Sequence, residues 1–346
     1  MKKKKQLLGL VAAAAALSLT LAGCSGGDTG SAGSGASADS RERVSLNVGY
    51  IDTSINGVGI TAIADDQDLW DAAGIDVTLT PFTNGPTQIQ AMAANSIDVG
   101  YIGGGATWLP ASGQATIIAP SESTFGDYLI ASPQSGATSV KDLKGLRVGV
   151  PDGGSGEMIL SLALEKAGLT ADDIERVPLD PPNVVSAFVS GQIDVAAIFS
   201  PLSNQITESV PDAVVIANNK DFPETEFVGA WVASNDAVAN KSEAVIRFLE
   251  VYAQANDFRV ENPEEAVKLA SEASGAPEAQ LQGQADALDW WTSKQILADD
   301  KSGVTAQRFE ALEKLFVKIG RLKEVAPADT FVNVELFEKA MENLGS

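Results

Sequence analysis

The stretches AMAANSIDVGYIGGGAT at 91–107 and AFVSGQIDVAAIFSPL at 187–202 decide the fold. In each, a helical run ends in a polar turn, an Asp follows, and an apolar strand-like run comes next. Ala, Ile, Asp and Val recur at matching places, 96 residues apart. A second echo lies outside them: LNVG at 46–49 returns as LRVG at 146–149. Around the first copy, 46–50 reads as a strand, helical sequence runs to about Trp70, and Gly74 suits a helix C-cap. Ile75 to Phe82 reads as a strand, Asn84 to Ala94 as a helix and Ile97 to Ile102 as a strand. Such alternation predicts mainly parallel sheets flanked by helices, one in each of two lobes. Asp98 and Asp194, at matching turns, read as structural turn residues.

From Asn235 onward the pattern is mostly helical, over 241–260, 263–274, 277–291, 305–319 and 334–344. The apolar run Glu226 to Ser234, around Trp231, reads as a strand returning the chain to the first lobe. The expected division is lobe 1 at 44–130 plus 228–346 and lobe 2 at 131–227. Two crossings make a hinge that allows closure on a ligand. Trp290 and Trp291 are expected in the core.

The 346 residues carry 24 Lys+Arg against 46 Asp+Glu, a net charge of -22, with no histidine and one cysteine. That length exceeds what one hydrophobic core usually organises. Missing histidine excludes Ser-His-Asp and Cys-His catalysis and His-liganded metals. The acidic balance disfavours nucleic acid and anionic surfaces. No metal or cofactor is expected, and the chain is expected to be a monomer.

Four lysines at 2–5 precede an apolar run from Leu7 to Ala22. That run suits a signal h-region better than a membrane-spanning helix. It ends in Leu21-Ala22-Gly23-Cys24, which resembles the lipobox of bacterial lipoproteins. The resemblance implies a signal peptide at 1–23, a diacylglycerol on Cys24 and a lipid-anchored, extracytoplasmic protein. The Gly/Ser-rich residues 24–43 read as a flexible tether.

Four segments carry a second resemblance: VGYIDT (48–53), FTNGPTQIQAMAANSIDVGYIGGGAT (82–107), DLKGLRVGVPDGGSG (142–156) and LDPPNVVSAFVSGQIDVAAIFSPL (179–202). They are similar to the solute-binding proteins of ABC importers in the taurine, aliphatic-sulfonate and nitrate group. The resemblance implies a two-lobed type II periplasmic-binding-protein-like fold with a helical C-terminal extension. It also implies a small polar or anionic solute as ligand, and an ABC permease with its ATPase as partner. It implies no catalysis. There are departures: Ser200 stands where relatives often carry an acid, Gly229 and Ala230 likewise, and Ser155-Gly156-Glu157 replaces a Ser/Thr-His start. The other readings are an extracytoplasmic enzyme on the same scaffold and a sensory lipoprotein without transport.

In open α/β sheets the ligand crevice lies at the carboxyl ends of the strands. Five loops qualify: Asp52, Thr53, Asn56 and Gly57 after the first strand; Gly103, Gly104, Gly105 and Thr107 after the third; Gly154, Ser155, Gly156 and Glu157; Phe199 and Ser200; and the surroundings of Trp231. The second and third loops are expected to be counterparts, each a tight turn or a helix start offering free N–H groups to an anion. Glu157 is either a charge favoured at a helix start or the partner of a ligand ammonium, with Asp52 and Asp127 as rivals. Phe199 and Trp231 are either ligand walls or core.

Overall fold

The computed structural model describes residues 42–345. The expected signal, Cys24 and most of the tether lie outside the described residues. In chain order come β1 (Val44–Ile51), α1 (Ile55–Asp66), α2 (Leu69–Ala72), β2 (Ile75–Phe82), α3 (Gly85–Ala93), β3 (Val99–Ile102), α4 (Trp108–Ala111) and β4 (Thr116–Thr124). After two residues the chain enters β5 (Asp127–Ala131), then β6 (Arg147–Val150), α5 (Ser155–Ala167), β7 (Glu175–Pro178), α6 (Pro181–Val189), β8 (Val195–Phe199), α7 (Leu202–Ser209) and β9 (Val214–Asn218). It returns through β10 (Val228–Ala233) to α8 (Asn235–Asn240), α9 (Ser242–Glu261), α10 (Pro263–Ser274), α11 (Glu278–Ala285), β11 (Leu288–Trp290), α12 (Ser293–Ser302), α13 (Val304–Lys318) and α14 (Val334–Asn343).

The strands form two sheets, ordered β11-β4-β10-β3-β1-β2 and β7-β6-β8-β5-β9. The two LxVG strands therefore sit in different sheets. Each is the middle of a parallel triplet, β2-β1-β3 and β7-β6-β8, with matched registers: Val48 opposite Val99, Val148 opposite Val195. The duplication extends to single atoms. Asp98 Oδ2 accepts from Asn47 N at 3.0 Å, and Asp194 Oδ2 from Arg147 N at 2.9 Å. Both acids thus close a strand start, as their turn positions predict. Gly49 and Gly149 make room for Ile97 and Ile193, whose Cδ1 atoms lie where a Cβ would stand.

Both sheets are mixed: β10 and β11 in the first and β5 in the second run against the parallel triplet, while β4 and β9, each antiparallel to its neighbours, run with it. The chain crosses between sheets at 125–126 and 219–227, and the strand entered after each crossing, β5 and then β10, is a reversed one. The expected junction at 130 falls inside β5, which pairs with β8 and β9. The helix expected over 277–291 stops at Ala285, and 288–290 forms β11 against β4 instead. The edge of β4 offers unpaired backbone groups, and 288–290 takes them up. Helix α12 has no counterpart in the expected pattern. The first core centres on Trp231, whose ring lies 5.0 Å from Phe248 and 6.0 Å from Tyr252 of α9. Among the described residues no helix is long and apolar enough to cross a membrane.

Candidate functional site

The carboxyl ends of β1, β3, β6 and β8 and the crossing at 124–127 enclose a cleft of about 790 Å³, counting its open side. Residues of both lobes line it. Apolar walls come from Ile51, Pro86, Tyr101, Phe199 and Leu288. Polar groups come from Asn56, Asn84, Thr124, Asp127, Asp152, Ser155, Ser200 and Gln284. No Lys or Arg is among the lining residues.

Helix starts converge here because strand-to-helix turns leave the carboxyl ends of parallel strands. On the first lobe the starts of α1 and α3 are bonded by side chains, whereas the turn after β3, at Gly103–Thr107, has no side-chain cap. Ile55 N of α1 donates to Gln284 Oε1 at 3.1 Å, and Asn84 Oδ1 caps α3 by accepting from Thr87 N at 3.0 Å. On the second lobe, neither α5, which begins after Gly154, nor α7, which begins after Pro201, has a side-chain cap. Their first N–H groups remain available, as an anionic or acceptor group requires.

Behind the first-lobe wall lies a buried polar network. Asn56 Nδ2 donates to Tyr101 Oη at 3.1 Å, and Tyr101 Oη donates to Glu122 Oε1 at 2.5 Å. Asn56 Oδ1 accepts from Trp290 Nε1 at 2.7 Å and from Arg259 Nη1 at 3.4 Å. Arg259 is buried, donates to Ser121 and Asn256, and lies 5.0 Å from the Trp290 ring. Burial raises the Glu122 carboxyl above its ordinary range while the Arg259 charge pulls it down. Burial, reinforced by Glu122, raises the Tyr101 phenol well above its usual range. A Cβ at Gly229, opposite Glu122 across β10 and β4, would overlap the Glu122 carboxylate. Glycine there is what gives the acid its room.

The second lobe contributes Asp127 at the start of β5. The residue is 1% exposed. Its N donates to Asn219 Oδ1 at 2.6 Å, and Asn219 Nδ2 donates back to Asp127 Oδ2 at 3.1 Å. This reciprocal pair ties the two interlobe crossings together. Asp127 Oδ1 has no partner among the described residues. Burial pushes the carboxyl up to about 6, against the pull of the Ser155 hydroxyl and the Asn219 amide.

Of the residues singled out in the sequence, Asn56, Gly103, Gly104, Asp127, Gly154, Ser155, Phe199 and Ser200 line the cleft. The others stand elsewhere. Glu157 faces the lobe contact: it accepts from Gly153 N at 3.0 Å, Arg176 Nη2 at 2.9 Å and Arg321 Nε at 2.9 Å. Trp231 is fully buried in the first core. Thr107 Oγ1 is spent on Gly104 O at 2.8 Å, and the Thr53 carbonyl accepts from Gln284 Nε2 at 3.0 Å. Gly57 packs α1 against Ile51, and Gly156 packs α5 against the Ala197 carbonyl. Gly105 marks where the lobes touch, since a Cβ there would overlap Ser155 N. Asp52 lies at the foot of α1, with Oδ1 buried and unpartnered among the described residues. Trp291 is core, but Trp290 reaches the Asn56 network.

The topology also corrects the pairing of loops. Since β6 corresponds to β1 and β8 to β3, Asp152–Ser155 is the counterpart of Asp52–Ile55, and Phe199–Pro201 that of Gly103–Gly105. Sequence reasoning missed Asn84, Gly85 and Pro86, although Asn-Gly-Pro after a strand is a helix-start signal. It missed Gln284 and Leu288 for want of any local signal.

The family pattern described as NMT1/THI5 like matches residues 58–266. A protein of Brucella abortus (strain 2308) named "Putative binding protein" is 42% identical over 293 residues, 84% of this chain and 91% of that protein. The taurine-binding periplasmic protein of Escherichia coli (strain K12) is 24% identical over 66% of this chain and 73% of its own. Among solved structures, the alkanesulfonate-binding protein SsuA from Xanthomonas axonopodis pv. citri, bound to MOPS, superposes with a TM-score of 0.69 at 22% identity, covering 85% of this chain and 100% of that one. The desulfurization enzyme DSZB superposes with a TM-score of 0.59 at 16% identity, covering 87% of this chain and 100% of that one. A match of that extent to the family pattern, and a relative of that identity along most of its length, leave one assignment: this chain is a member of the NMT1/THI5-like family.

Proposed function

We propose that the protein is an extracytoplasmic solute receptor, held to the membrane by a lipid on Cys24, that hands a small polar organic solute to an ABC permease. The lobes close about the crossings at 125–126 and 219–227. The observation that carries this reading is the cleft itself: Gly154 and Ser155 at the start of α5 line it, as does Ser200 just ahead of α7, and neither helix has a side-chain cap. Uncapped helix starts hold a sulfonate or carboxylate without any cationic side chain. The names of the relatives point the same way. A thermal-shift series with taurine, alkanesulfonates, nitrate and amino acids tests it. Saturation at a hundredfold the dissociation constant adds about 2.7 kcal/mol of stability. If no member of the series shifts the midpoint, this solute class is wrong. A Cys24→Ser variant retained in the membrane fraction would remove the lipid anchor from the proposal.

An enzyme reading is kept in view by the fold shared with DSZB. It is disfavoured because the chain has no histidine and its one cysteine, Cys24, directly follows the apolar N-terminal run. Chemical change of a bound solute would reverse that judgement.

A further inference from the structure

The cleft contains one acid that the fold does not compensate. Asp152, its other lining acid, is neutralised by Arg176. Glu122, behind the wall, also keeps one oxygen unpartnered among the described residues, but it has Tyr101 and the charge of Arg259 and does not line the cleft. The hydrogen bonds of Asp127 run to Asn219, the Ser155 hydroxyl adds a favourable pull, and no cation acts on its carboxyl. The Asn219 bracket accounts for the backbone N–H and for Oδ2, which suffices for a structural tether; it does not account for Oδ1. A buried carboxylate oxygen without a partner costs stability. Such a cost persists where a ligand removes it.

We propose that Asp127 is the specificity-determining residue of the cleft, its free oxygen taking an ammonium or N–H donor of the solute. This rests on the receptor reading above and narrows it: the ligand carries a basic nitrogen and is not a simple anion. Asp127 and Ser155 both line the cleft, so the acceptor lies beside the uncapped start of α5. One lobe therefore presents an acceptor and a set of donors side by side, the complement of a molecule with an amine and an acidic or polar group a short distance apart. Simple anions such as nitrate would meet an uncompensated carboxylate there.

The test uses matched probes that differ only at the nitrogen: taurine against isethionate, and β-alanine against 3-hydroxypropionate, titrated calorimetrically into wild type and Asp127→Asn. Asn keeps the shape and can still accept from Asn219. The expected result is that amine-bearing members bind wild type at least tenfold tighter than their hydroxyl partners, and that Asp127→Asn erases the difference. Hydroxyl partners that bind wild type as tightly, or a variant that keeps the preference, overturn the role of Asp127 and leave the receptor reading standing. Failure of every probe to bind wild type counts against the receptor's solute class instead. A ligand-free measurement decides the residue separately. Asp127→Asn should raise the melting temperature at pH 8 and leave it unchanged at pH 4.5, because only the ionised carboxylate carries the burial cost. A variant that loses stability at both pH values makes Asp127 a tether and overturns the proposal.

Discussion

The two lobes descend from one pattern yet meet the cleft in opposite conditions. On the first lobe the groups at the cleft wall are largely spoken for: Gln284 and Asn84 bond the starts of α1 and α3, and Asn56, Tyr101, Glu122, Arg259 and Trp290 form one network, although Asp52 Oδ1 and Glu122 Oε2 stay unpartnered behind it among the described residues. On the second, α5 and α7 begin without side-chain caps and Asp127 keeps a free oxygen. The first lobe is a preorganised wall whose orphan atoms lie behind it, and the second places its unfilled acceptor, Asp127 Oδ1, among the residues that line the cleft. Since both share their strand geometry, the difference arises from the segments added to the first. Gln284, Trp290 and Arg259 all come from the helical tail, which the second lobe lacks.

Removing the charge at the centre of the wall should have the largest effect. Arg259→Ala removes the charge that acts on buried Glu122 and the hydrogen bonds to Asn56, Ser121 and Asn256, and a hydrogen bond to a charged group is worth about 1.5–3 kcal/mol. Chemical denaturation should show a loss of that size; a loss below about 1 kcal/mol would mean that the wall is not held by this network.

Next comes pH. Burial raises Asp127 to about 6, Asp300 to about 6 and Glu313 to about 7. A carboxyl whose folded value exceeds its unfolded one binds more protons when folded. Its stability is full below about pH 4 and is lost as pH rises through 6 to 7. At about 1.4 kcal/mol per unit, Asp127 alone accounts for roughly 2–3 kcal/mol. Unfolding free energy should therefore fall from pH 5 to pH 8, and a rise across that interval would place the groups in water.

The lobe contact is the next target. Gly105→Val puts a side chain where the Ser155 backbone stands. Overpacking costs about 1–3 kcal/mol, so solute affinity should fall roughly tenfold to a hundredfold while the ligand-free melting temperature holds. Unaltered affinity would mean that the solute binds without this approach of the lobes.

The smallest effect is expected at Glu157. Its partner Arg321 follows α13 on the first lobe and lies 5.4 Å from the Trp108 ring, whose Nε1 donates to Gly153 O at 3.2 Å. Glu157→Gln weakens a part-exposed pair worth about 1 kcal/mol or less. Affinity should drop less than about fivefold, equally for amine-bearing and amine-free solutes. Selective loss of amine binding would move the specificity from Asp127 to Glu157.

Much of the fold was legible because its signals are local. The Ile-Asp-Val repeats place two strands and the acids that close them. The β2 limits were readable from one run, and the helices expected over 263–274 and 334–344 stand at 263–274 and 334–343. The short strand at 288–290 was not readable, because its partner edge on β4 lies more than 160 residues away. Eight of the expected site residues reach the cleft, and they do so because strand ends and helix starts follow from topology.

Glu157 and Trp231 were ambiguous in the sequence for the same reason. A helix-start acid and an apolar-strand aromatic have identical local signatures whether they face a ligand or a core. The sequence by itself determined the duplicated α/β grammar, the turns that line a crevice and the lack of histidine chemistry. Only tertiary structure decided which polar atoms remain unpaired: Arg321 takes Glu157, Arg259 and Trp290 take Asn56, and Asn219 takes one oxygen of Asp127 and leaves the other. Pairing across 90 to 230 residues depends on how helices pack, and a hydrogen bond is satisfied only by the group that arrives within about 3 Å.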